Sequence, residues 1–336
     1  MPEPEVPPHA PILELATGSV MGRALFAVTE LGVPDLLADG PVATAELAEK
    51  TDTEPSSLSR VLRTLAGAGY FRSLGDRYAL TDLGRTLVTG HPTAARELVL
   101  SLLGPAFTDS MQRLSDTLRT GRTGVDLVYG LPVFDYFARH PDEGASFNRT
   151  MIAFHGTEPA AVARAWDLTD AEHLVDVGGG VGTLLRAVLE KVPATRGTLF
   201  DRPDVIGQAD LGDAHDRCRT ESGDFFTSVP HGGDVYLLSH IVHDWKDEEA
   251  HTILSNCRRA MTDGGRLVLV EMVLPPGDDD HPGKFLDLVM LALTGGRERT
   301  ESQYRELLAA AGFDLVRVVP TDSAVSIIEA VPSTST

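Results

Sequence analysis

Cysteine is nearly absent from this chain of 336 residues, which contains only Cys218 and Cys257, too few for a disulfide framework. We expect two ordinary buried thiols in a reducing cytoplasm instead. Basic residues are scarce as well, since 29 Lys and Arg stand against 49 Asp and Glu, and the net charge is −20. A phosphate backbone repels a protein of this charge, which argues against nucleic-acid binding by the whole chain.

Long apolar runs are missing too. No stretch approaches the roughly 18 apolar residues of a membrane span, so we expect no contact with a membrane. The N-terminus, MPEPEVPPHAP, lacks the basic region and apolar stretch of a secretory signal. Residues 1–11 and 332–336 are predicted to be disordered. Apolar residues still make up 42% of the chain, which is enough for a globular core, and the length favours two domains.

The segment 44–90 has the pattern of a winged helix. Thr44 and Pro55 begin two successive helices, and alternating segments around residues 75–76 predict a hairpin. The segment carries six basic and six acidic side chains, whereas a protein that binds DNA needs a basic face. Packing or dimerisation is therefore favoured over DNA binding. An apolar helix within residues 12–37 precedes the segment, and its surplus apolar surface predicts a homodimer.

Residues 93–167 are predicted to be mostly helical. Phenylalanine, tyrosine and methionine are frequent between Val133 and Phe154. Side chains of these types usually belong to a core, and a ligand pocket is the alternative.

From His173 onward, strand-like and helix-like runs alternate, which predicts a mainly parallel sheet with helices on both faces. The expected fold class is therefore α/β. The expected strands cover residues 173–177, 197–200, 234–239, 266–271, 314–319 and 324–330, and the expected helices cover residues 182–192, 248–261 and 301–311.

A glycine-rich turn follows the first of these strands. Gly178, Gly180 and Gly182 give the pattern G-x-G-x-G, which lets the backbone approach a bound cofactor closely. A dinucleotide-binding fingerprint would have its third glycine where Thr183 stands. Asp176, just before the turn, is unfavourable beside a pyrophosphate and suits a cationic amine or sulfonium.

Two further acidic residues have the spacing of adenosine contacts. Asp201 ends the second strand, where a carboxylate can accept both hydroxyls of a ribose, and capping of the next helix is the alternative. Asp224 lies in GDFF, where it can accept an adenine amino group while Phe225 covers the ring, and a simple turn is the alternative. An adenosine cofactor without phosphates and with a nearby cation is S-adenosylmethionine.

Histidine and glutamate form the candidate catalytic group. His243 follows the strand over 234–239, at the sheet edge where open α/β sheets bind ligands, and its imidazole can remove a phenolic proton. Glu271 ends the next strand and Glu298 precedes the last long helix, so either carboxylate can orient the imidazole. A solvated loop pair with a neighbouring arginine is the alternative for Glu298. His240 is interpreted as a structural loop histidine.

The motifs VDVGGGVG, LFDRPDV, GDFF, HDWKDEE, LVEMVLP, GGRERT and AAGF occur in this order along the chain. In this series the chain resembles the small-molecule O-methyltransferases that methylate plant phenylpropanoids and bacterial aromatic polyketides. The resemblance covers nearly the whole chain. It implies a Rossmann-like class I methyltransferase domain, preceded by a winged-helix dimerisation domain.

The resemblance also assigns roles to single residues. It implies that His243 is the general base, flanked by Glu271 and Glu298. Ser239 departs from the pattern, because plant members often carry Lys there. The cofactor contacts it implies are Gly178, Asp201, Asp224, Phe225 and Ser239, to which the glycine pattern adds Gly180. The expected acceptor contacts are Asn148, Met151, Phe154, Asp244 and Met290.

The sequence thus predicts a cytoplasmic, homodimeric O-methyltransferase that transfers a methyl group to a hydroxyl of an aromatic small molecule. We expect a dimerisation domain over 1–92, a helical connector over 93–170 and a methyltransferase domain over 171–336. No metal is required where His243 takes the phenolic proton. Two alternatives stay open: a relative that uses the cofactor for another tailoring step in the biosynthesis of a polyketide, and a ligand-sensing winged-helix regulator.

Overall fold

The computed structural model describes residues 7–167 and 170–334. The predicted disorder at the two ends falls partly on residues 1–6 and 335–336, which lie outside the described residues. For the inner parts of both ends the prediction was wrong, because Ala10 begins the first helix and Pro332 ends the last strand. A proline in the first turn of a helix costs no hydrogen bond, so Pro11 is compatible with the helix start.

Helices and strands are numbered along the chain. The helices are α1 (Ala10–Glu30), α2 (Val33–Leu36), α3 (Thr44–Lys50), α4 (Pro55–Gly67), α5 (Asp82–Arg85), α6 (Ala95–Leu102), α7 (Pro105–Gln112), α8 (Leu114–Thr120), α9 (Gly124–Tyr129), α10 (Val133–Arg139), α11 (Pro141–Phe154), α12 (Glu158–Ala165), α13 (Thr183–Lys191), α14 (Pro203–Ile206), α15 (Asp247–Ala260), α16 (Pro282–Leu293) and α17 (Glu301–Ala310). The strands are β1 (Val42–Ala43), β2 (Phe71–Leu74), β3 (Arg77–Leu80), β4 (His173–Val177), β5 (Arg196–Asp201), β6 (Cys218–Ser222), β7 (Val235–Ser239), β8 (Arg266–Glu271), β9 (Val273–Leu274), β10 (Arg299–Thr300), β11 (Phe313–Pro320) and β12 (Ser326–Pro332).

The chain forms two compact units. The first contains the chain up to Gln112 together with Phe134–Phe154, and the second contains Arg113–Val133 together with the chain from His155 onward. The division into residues 1–92, 93–170 and 171–336 stays a prediction.

The first unit contains the helix, helix and hairpin that the winged-helix prediction requires. β2 and β3 pair antiparallel, and β1 adds a short third strand beside β3. Leu47 of α3 and Leu62 of α4 are fully buried in one cluster, because both helices turn an apolar stripe inward.

Helix α1 corrects one expectation from the sequence. By length and composition alone it could cross a membrane, although a single helix of this kind near the N-terminus is weak evidence. Most of α1 is not buried within the chain, and Ile12, Leu15 and Val20 are largely exposed. The helix therefore presents an apolar surface that residues 7–167 and 170–334 leave uncovered.

The second unit is built on a seven-stranded sheet with the order β11-β12-β8-β7-β4-β5-β6. The five strands from β8 to β6 pair in parallel, and β12 and β11 add an antiparallel edge. Side chains alternate between the two faces: Leu174 and Leu237 pack on the side of α13, whereas Val175 and Leu238 pack on the side of α15 and α17. The predicted α/β fold is confirmed.

Some elements of this unit were not predicted. The edge strand β6 has the sequence CRTES and is mostly exposed, so it carries no apolar pattern. Helix α16 is apolar on most sides and follows an acidic loop, so its helical period is hard to see. Residues at the strand ends differ from the prediction by one or two positions, since strand ends carry a weaker pattern than strand centres.

Candidate functional site

The chain order of the sheet marks where a ligand binds. From β4 the chain continues to β5 and β6 on one side, and then returns to β7 and β8 on the other. Between β4 and β7 the connections therefore diverge, and this leaves a crevice beyond the carboxyl ends of the two strands. The glycine turn follows β4, and the segment carrying His243 follows β7.

The backbone of the glycine turn is open to a ligand. Gly178 and Gly180 have φ values of +72° and +61°, which side chains other than glycine rarely adopt. A Cβ on Gly178 would lie 2.5 Å from Ile241 Cδ1, whereas one on Gly180 would meet nothing within 4 Å. Glycine is thus required at 178 for packing, and the turn exposes bare backbone at 180.

Asp176 is a buried carboxylate beneath this turn. It is 1% exposed, and neither carboxylate oxygen has a hydrogen-bond partner among the described residues. Burial, and secondarily the nearby Asp201, raises the pKa of Asp176 to about 8. A buried carboxyl group without partners is costly, so this group calls for a cation or a donor from a ligand.

Asp201 and Asp224 are both held by the backbone. Asp201 Oδ2 accepts from Gly180 N at 2.8 Å, and Oδ1 accepts from Arg202 N at 2.7 Å, which fixes the carboxylate beside the glycine turn. Burial raises the pKa of Asp201. Asp224 is exposed and accepts a hydrogen bond from Phe226 N at 2.9 Å. Within the chain its contacts are therefore those of a simple turn.

The side chain that follows Asp224 is part of an aromatic group. The Phe225 ring lies edge-on to Trp245, with centroids 6.0 Å apart. Ser239 is half-buried and is the last residue of β7. For both, a cofactor contact remains a prediction.

His243 is buried and surrounded by carboxylates. Its Nδ1 lies 2.6 Å from Glu298 Oε1 and 3.7 Å from Glu271 Oε2, and its Nε2 lies 3.8 Å from Asp244 Oδ1. Glu271 Oε1 accepts from Val242 N at 2.9 Å. Of the two glutamates, Glu298 is therefore the hydrogen-bond partner of the imidazole, whereas Glu271 holds the backbone and acts on the ring through its charge.

The carboxylates determine the protonation of His243. Burial alone would lower its pKa, but Glu271, Asp244 and Glu298 outweigh burial and raise the pKa to about 10. Burial raises the pKa of Glu271, so Glu271 and His243 compete for one proton. Burial also raises the pKa of Asp244, to about 6. The three acidic side chains around the imidazole thus favour the protonated form of His243.

Arg299 fixes the same segment from behind, and the sequence did not reveal this role. Its side chain is fully buried and donates to Val242 O and Trp245 O, both at 3.0 Å, and to Asp247 Oδ1 at 2.8 Å. Arg299 and its neighbour Arg297 both pair with Asp247. Glu298 is buried against His243 and takes no part in a solvated arginine pair. Arg299 lies in the motif GGRERT, but its charge alone did not show that this guanidinium is buried while that of Arg297 is exposed.

His240 joins a second buried group. Glu158 Oε2 accepts from His240 Nε2 and lies equally close to His155 Nδ1, at 2.8 Å in each case. The ligand atoms of these three residues lie close enough to share a metal ion, as do those of His240, His243 and Glu271. A metal-bound imidazole normally donates its other N–H to an acceptor, and His240 Nδ1 has none among the described residues. The hydrogen-bonded interpretation is therefore favoured.

The residues expected to contact an acceptor fall in both units. Asn148, Met151 and Phe154 lie on α11 of the first unit, where Asn148 and Phe154 are exposed and Met151 is half-buried. Asp244 and Met290 lie in the second unit, where Asp244 adjoins the base and Met290 is buried on α16. Their contact with an acceptor stays a prediction.

Comparison with known proteins shows the family. The sequence profile of the O-methyltransferase domain matches residues 111–314, and that of the O-methyltransferase dimerisation domain matches residues 13–90. This chain belongs to the O-methyltransferase family. The dimerisation domain of this O-methyltransferase includes most of α1, which offers an explanation for its uncovered apolar surface other than a membrane.

Relatives resemble this O-methyltransferase over nearly their whole length. Phenazine O-methyltransferase PhzM of Lysobacter antibioticus is 39% identical over 97% of each chain. The 3-amino-4-hydroxybenzoate 4-O-methyltransferase of Streptomyces cremeus is 40% identical over 90% of this chain and 85% of its own. The solved structure of an O-methyltransferase, NcsB1 from neocarzinostatin biosynthesis, in complex with S-adenosylmethionine and 2-hydroxy-5-methyl naphthoic acid, has a TM-score of 0.83 at 31% identity. It covers 93% of this chain and 95% of its own.

The cofactor of this O-methyltransferase is S-adenosylmethionine. The site fits this cofactor on two observations of the chain itself. Asp176 offers a buried carboxylate that has no hydrogen-bond partner in the described part of the chain, and Gly180 offers open backbone next to Asp201. A cationic group and a ribose are what such donors and acceptors bind.

Proposed function

We propose that this enzyme methylates a hydroxyl group of an aromatic small molecule, with His243 as the general base. One observation carries the assignment: a buried histidine stands at the carboxyl edge of the sheet, with Nδ1 fixed by Glu298 at 2.6 Å. The neighbouring strand ends in the glycine turn, so base and cofactor site adjoin along one edge.

The acceptor class is supported by the relatives. Their names specify a phenazine, an aminohydroxybenzoate and a naphthoic acid, all of which are aromatic molecules. We infer a phenolic secondary metabolite of polyketide type as the acceptor here. The residues proposed to contact it are Asn148, Met151, Phe154, Asp244 and Met290.

The hydrogen bond to Glu298 selects the tautomer of the base. When His243 is neutral, Nδ1–H donates to Glu298, so the lone pair lies on Nε2 and is free to take a proton. When His243 is protonated, Glu271 and Glu298 stabilise the imidazolium, as the acid of a catalytic triad does. The acceptor oxygen loses its proton to Nε2 and becomes the nucleophile.

S-adenosylmethionine, when bound, supplies a methyl group on a sulfonium, an electrophile that the acceptor oxygen attacks. Asp201 would hold the ribose, Asp224 and Phe225 the adenine, and Ser239 with the glycine turn the remainder. The protein positions the oxygen in line with the methyl carbon, and such positioning is worth several kcal/mol of the barrier.

We further propose a homodimer held by the segment 1–92, and a cytoplasmic location. The dimerisation-domain match and the exposed apolar side chains of α1 support the homodimer. Two free cysteines, one of them buried, suit a reducing compartment.

The test is methyl transfer to a panel of hydroxylated aromatic acids, naphthols and phenazines, followed by mass spectrometry. Wild-type enzyme should form a methyl ether, and His243→Gln should lose about 10²–10⁴-fold in rate on a weakly acidic phenol. The affinity for S-adenosylmethionine should change little, since the imidazole acts on the acceptor. Full activity of His243→Gln near neutral pH would refute the base assignment, and the absence of any methylated product across the panel would count against the function itself.

A further inference from the structure

His240 has an unusual backbone conformation for its place in the fold. Its φ is +52°, in the left-handed region, and it lies directly after β7 and three residues before the base. A residue with a Cβ pays about 1 kcal/mol or more there relative to the ordinary helical region. If the chain needed only the turn at this position, glycine would make it without strain. The histidine side chain must therefore contribute something that glycine cannot.

The side chain of His240 is held by a neighbouring helix. Its Nε2 donates to Glu158 Oε2 at 2.8 Å, and Glu158 stands at the first position of α12. His155 Nδ1 lies at the same distance from the same oxygen. The two imidazole rings are 3.9 Å apart at their centroids, so they also pack on each other. We name these three residues, His155, Glu158 and His240, the histidine clamp.

The clamp encloses a buried carboxylate between two partly buried imidazoles. Glu158 is 6% exposed, and although burial opposes its charge, the hydrogen bonds from His155 and His240 lower its pKa to about 2. A buried carboxylate that accepts hydrogen bonds of this kind is costly to leave without its donors. Loss of Glu158 would therefore remove the hydrogen bond that joins the side chain of His240 to α12.

The clamp secures the side of the catalytic loop where β7 ends. We define the catalytic loop as residues 239–245. Its centre is held by Glu271 through Val242 N, and its far side by Arg299 through Val242 O and Trp245 O. At the β7 side the backbone is held by His240 N, which donates to Val270 O at 3.0 Å, and the side chain by the bond to Glu158.

We propose that the histidine clamp positions the catalytic loop, and that His240 and Glu158 are positioning residues for His243. The proposal rests on the proposed role of His243 as the base. The rings of His240 and His243 are 5.2 Å apart, so a displaced His240 leaves space beside the base. A displacement of about 1 Å at a reacting group can cost on the order of 10²-fold in rate.

The experiment is a double-mutant cycle on His240→Gly and Glu158→Gln. The glycine variant keeps the left-handed turn and removes the clamp, and the glutamine variant keeps the size of Glu158 and removes its charge. Glu306→Gln on α17 is the matched control, because Glu306 is exposed. Each clamp variant should lower kcat by about 10–10²-fold, with thermal unfolding still cooperative. The double variant should be no slower than the slower single variant, because both substitutions disrupt the same hydrogen bond between His240 and Glu158.

A measurement that needs no acceptor tests the positioning role separately from the proposed methyl-transfer function. The imidazole NMR signals of His243 should shift or broaden in both clamp variants and stay unchanged in Glu306→Gln, whether or not an acceptor is known. Unchanged His243 signals, a kcat within twofold of wild type for His240→Gly, or additive losses in the double variant would overturn the proposal. So would one equivalent of zinc or iron in the purified enzyme that Glu158→Gln loses, because the clamp would then be a metal centre.

Discussion

Replacement of Glu271 by glutamine should change the pH dependence of the enzyme more than its maximal rate. Glu271 Oε2 lies 3.7 Å from His243 Nδ1 but does not hold the ring, since its other oxygen accepts from Val242 N. Glutamine can keep that backbone bond through its carbonyl oxygen. The substitution thus removes one charge beside the base and leaves the bond to Glu298 in place.

The size of the effect follows from the distance. Two unit charges about 4 Å apart interact by about 4 kcal/mol at an effective dielectric constant of about 20. At about 1.4 kcal/mol per pKa unit this corresponds to about 3 units. Glu271 competes with His243 for the same proton, and burial raises its own pKa, so it carries only part of a charge. We therefore expect the pKa of His243 to fall by about 1–2 units relative to the wild-type enzyme under the same conditions.

The consequence for catalysis runs against intuition. Only neutral His243 can take a proton, so kcat/KM rises with pH until the imidazolium has lost its own proton. A lower pKa moves this rise to lower pH. Near pH 7 the variant should then equal or exceed wild type, by up to about tenfold, and at high pH it should be slower because its base is weaker.

The assay is the initial rate of methyl transfer at saturating S-adenosylmethionine, measured from about pH 6 to about pH 10, the range over which the base titrates. A more acidic analogue of the accepted phenol, already ionised in this range, is the control and should show little dependence on His243. Glu298→Gln is the comparison, because it weakens the bond that orients the ring and should lower the rate at every pH. An unmoved pH profile in Glu271→Gln would refute the electrostatic role of Glu271.

Three further predictions concern separate parts of the molecule. Cofactor binding near pH 7 should release protons, because a cation beside Asp176 favours its charged form, and calorimetry in two buffers of different ionisation enthalpy should show this release in wild type and not in Asp176→Asn. Arg299→Lys keeps the charge but loses the planar fork, so chemical denaturation should show a free energy of unfolding lower by roughly 1–3 kcal/mol. Leu15→Glu should yield a monomer by light scattering, whereas a glutamate at Leu118, which is also largely exposed but lies outside the dimerisation domain, should leave the dimer intact.

The sequence predicted strands well where buried apolar residues formed a short, clearly bounded segment. β4 and β8 were predicted to the residue, because strands buried on both faces form continuous apolar runs with sharp ends. β6 was missed because an edge strand with a polar sequence has no such run. The apolar length of α1 was underestimated, because small and polar residues interrupt the run without ending the helix.

The site was predictable in its members and much less in their contacts. His243, Glu271 and Glu298 were chosen from their positions at strand and helix ends, and the structure brings them together. The sequence could not show which glutamate forms the hydrogen bond to the imidazole, because both are expected at the sheet edge where His243 lies. The contact of His240 was also beyond the sequence, since its partner Glu158 on α12 lies 82 residues earlier in the chain.

The acidic side chains around His243 also relate cofactor binding to removal of the acceptor proton. They raise the pKa of His243 and so favour its protonated form, which cannot take a proton. Positive charge brought into the neighbouring cofactor site should oppose the protonated form and lower the pKa of His243 modestly. We therefore expect removal of the acceptor proton to be favoured when the cofactor site is occupied. Titration of His243 by NMR should consequently give a lower pKa with S-adenosylmethionine than with S-adenosylhomocysteine, whose sulfur is neutral, and equal values for the two would show that the base does not sense the sulfonium.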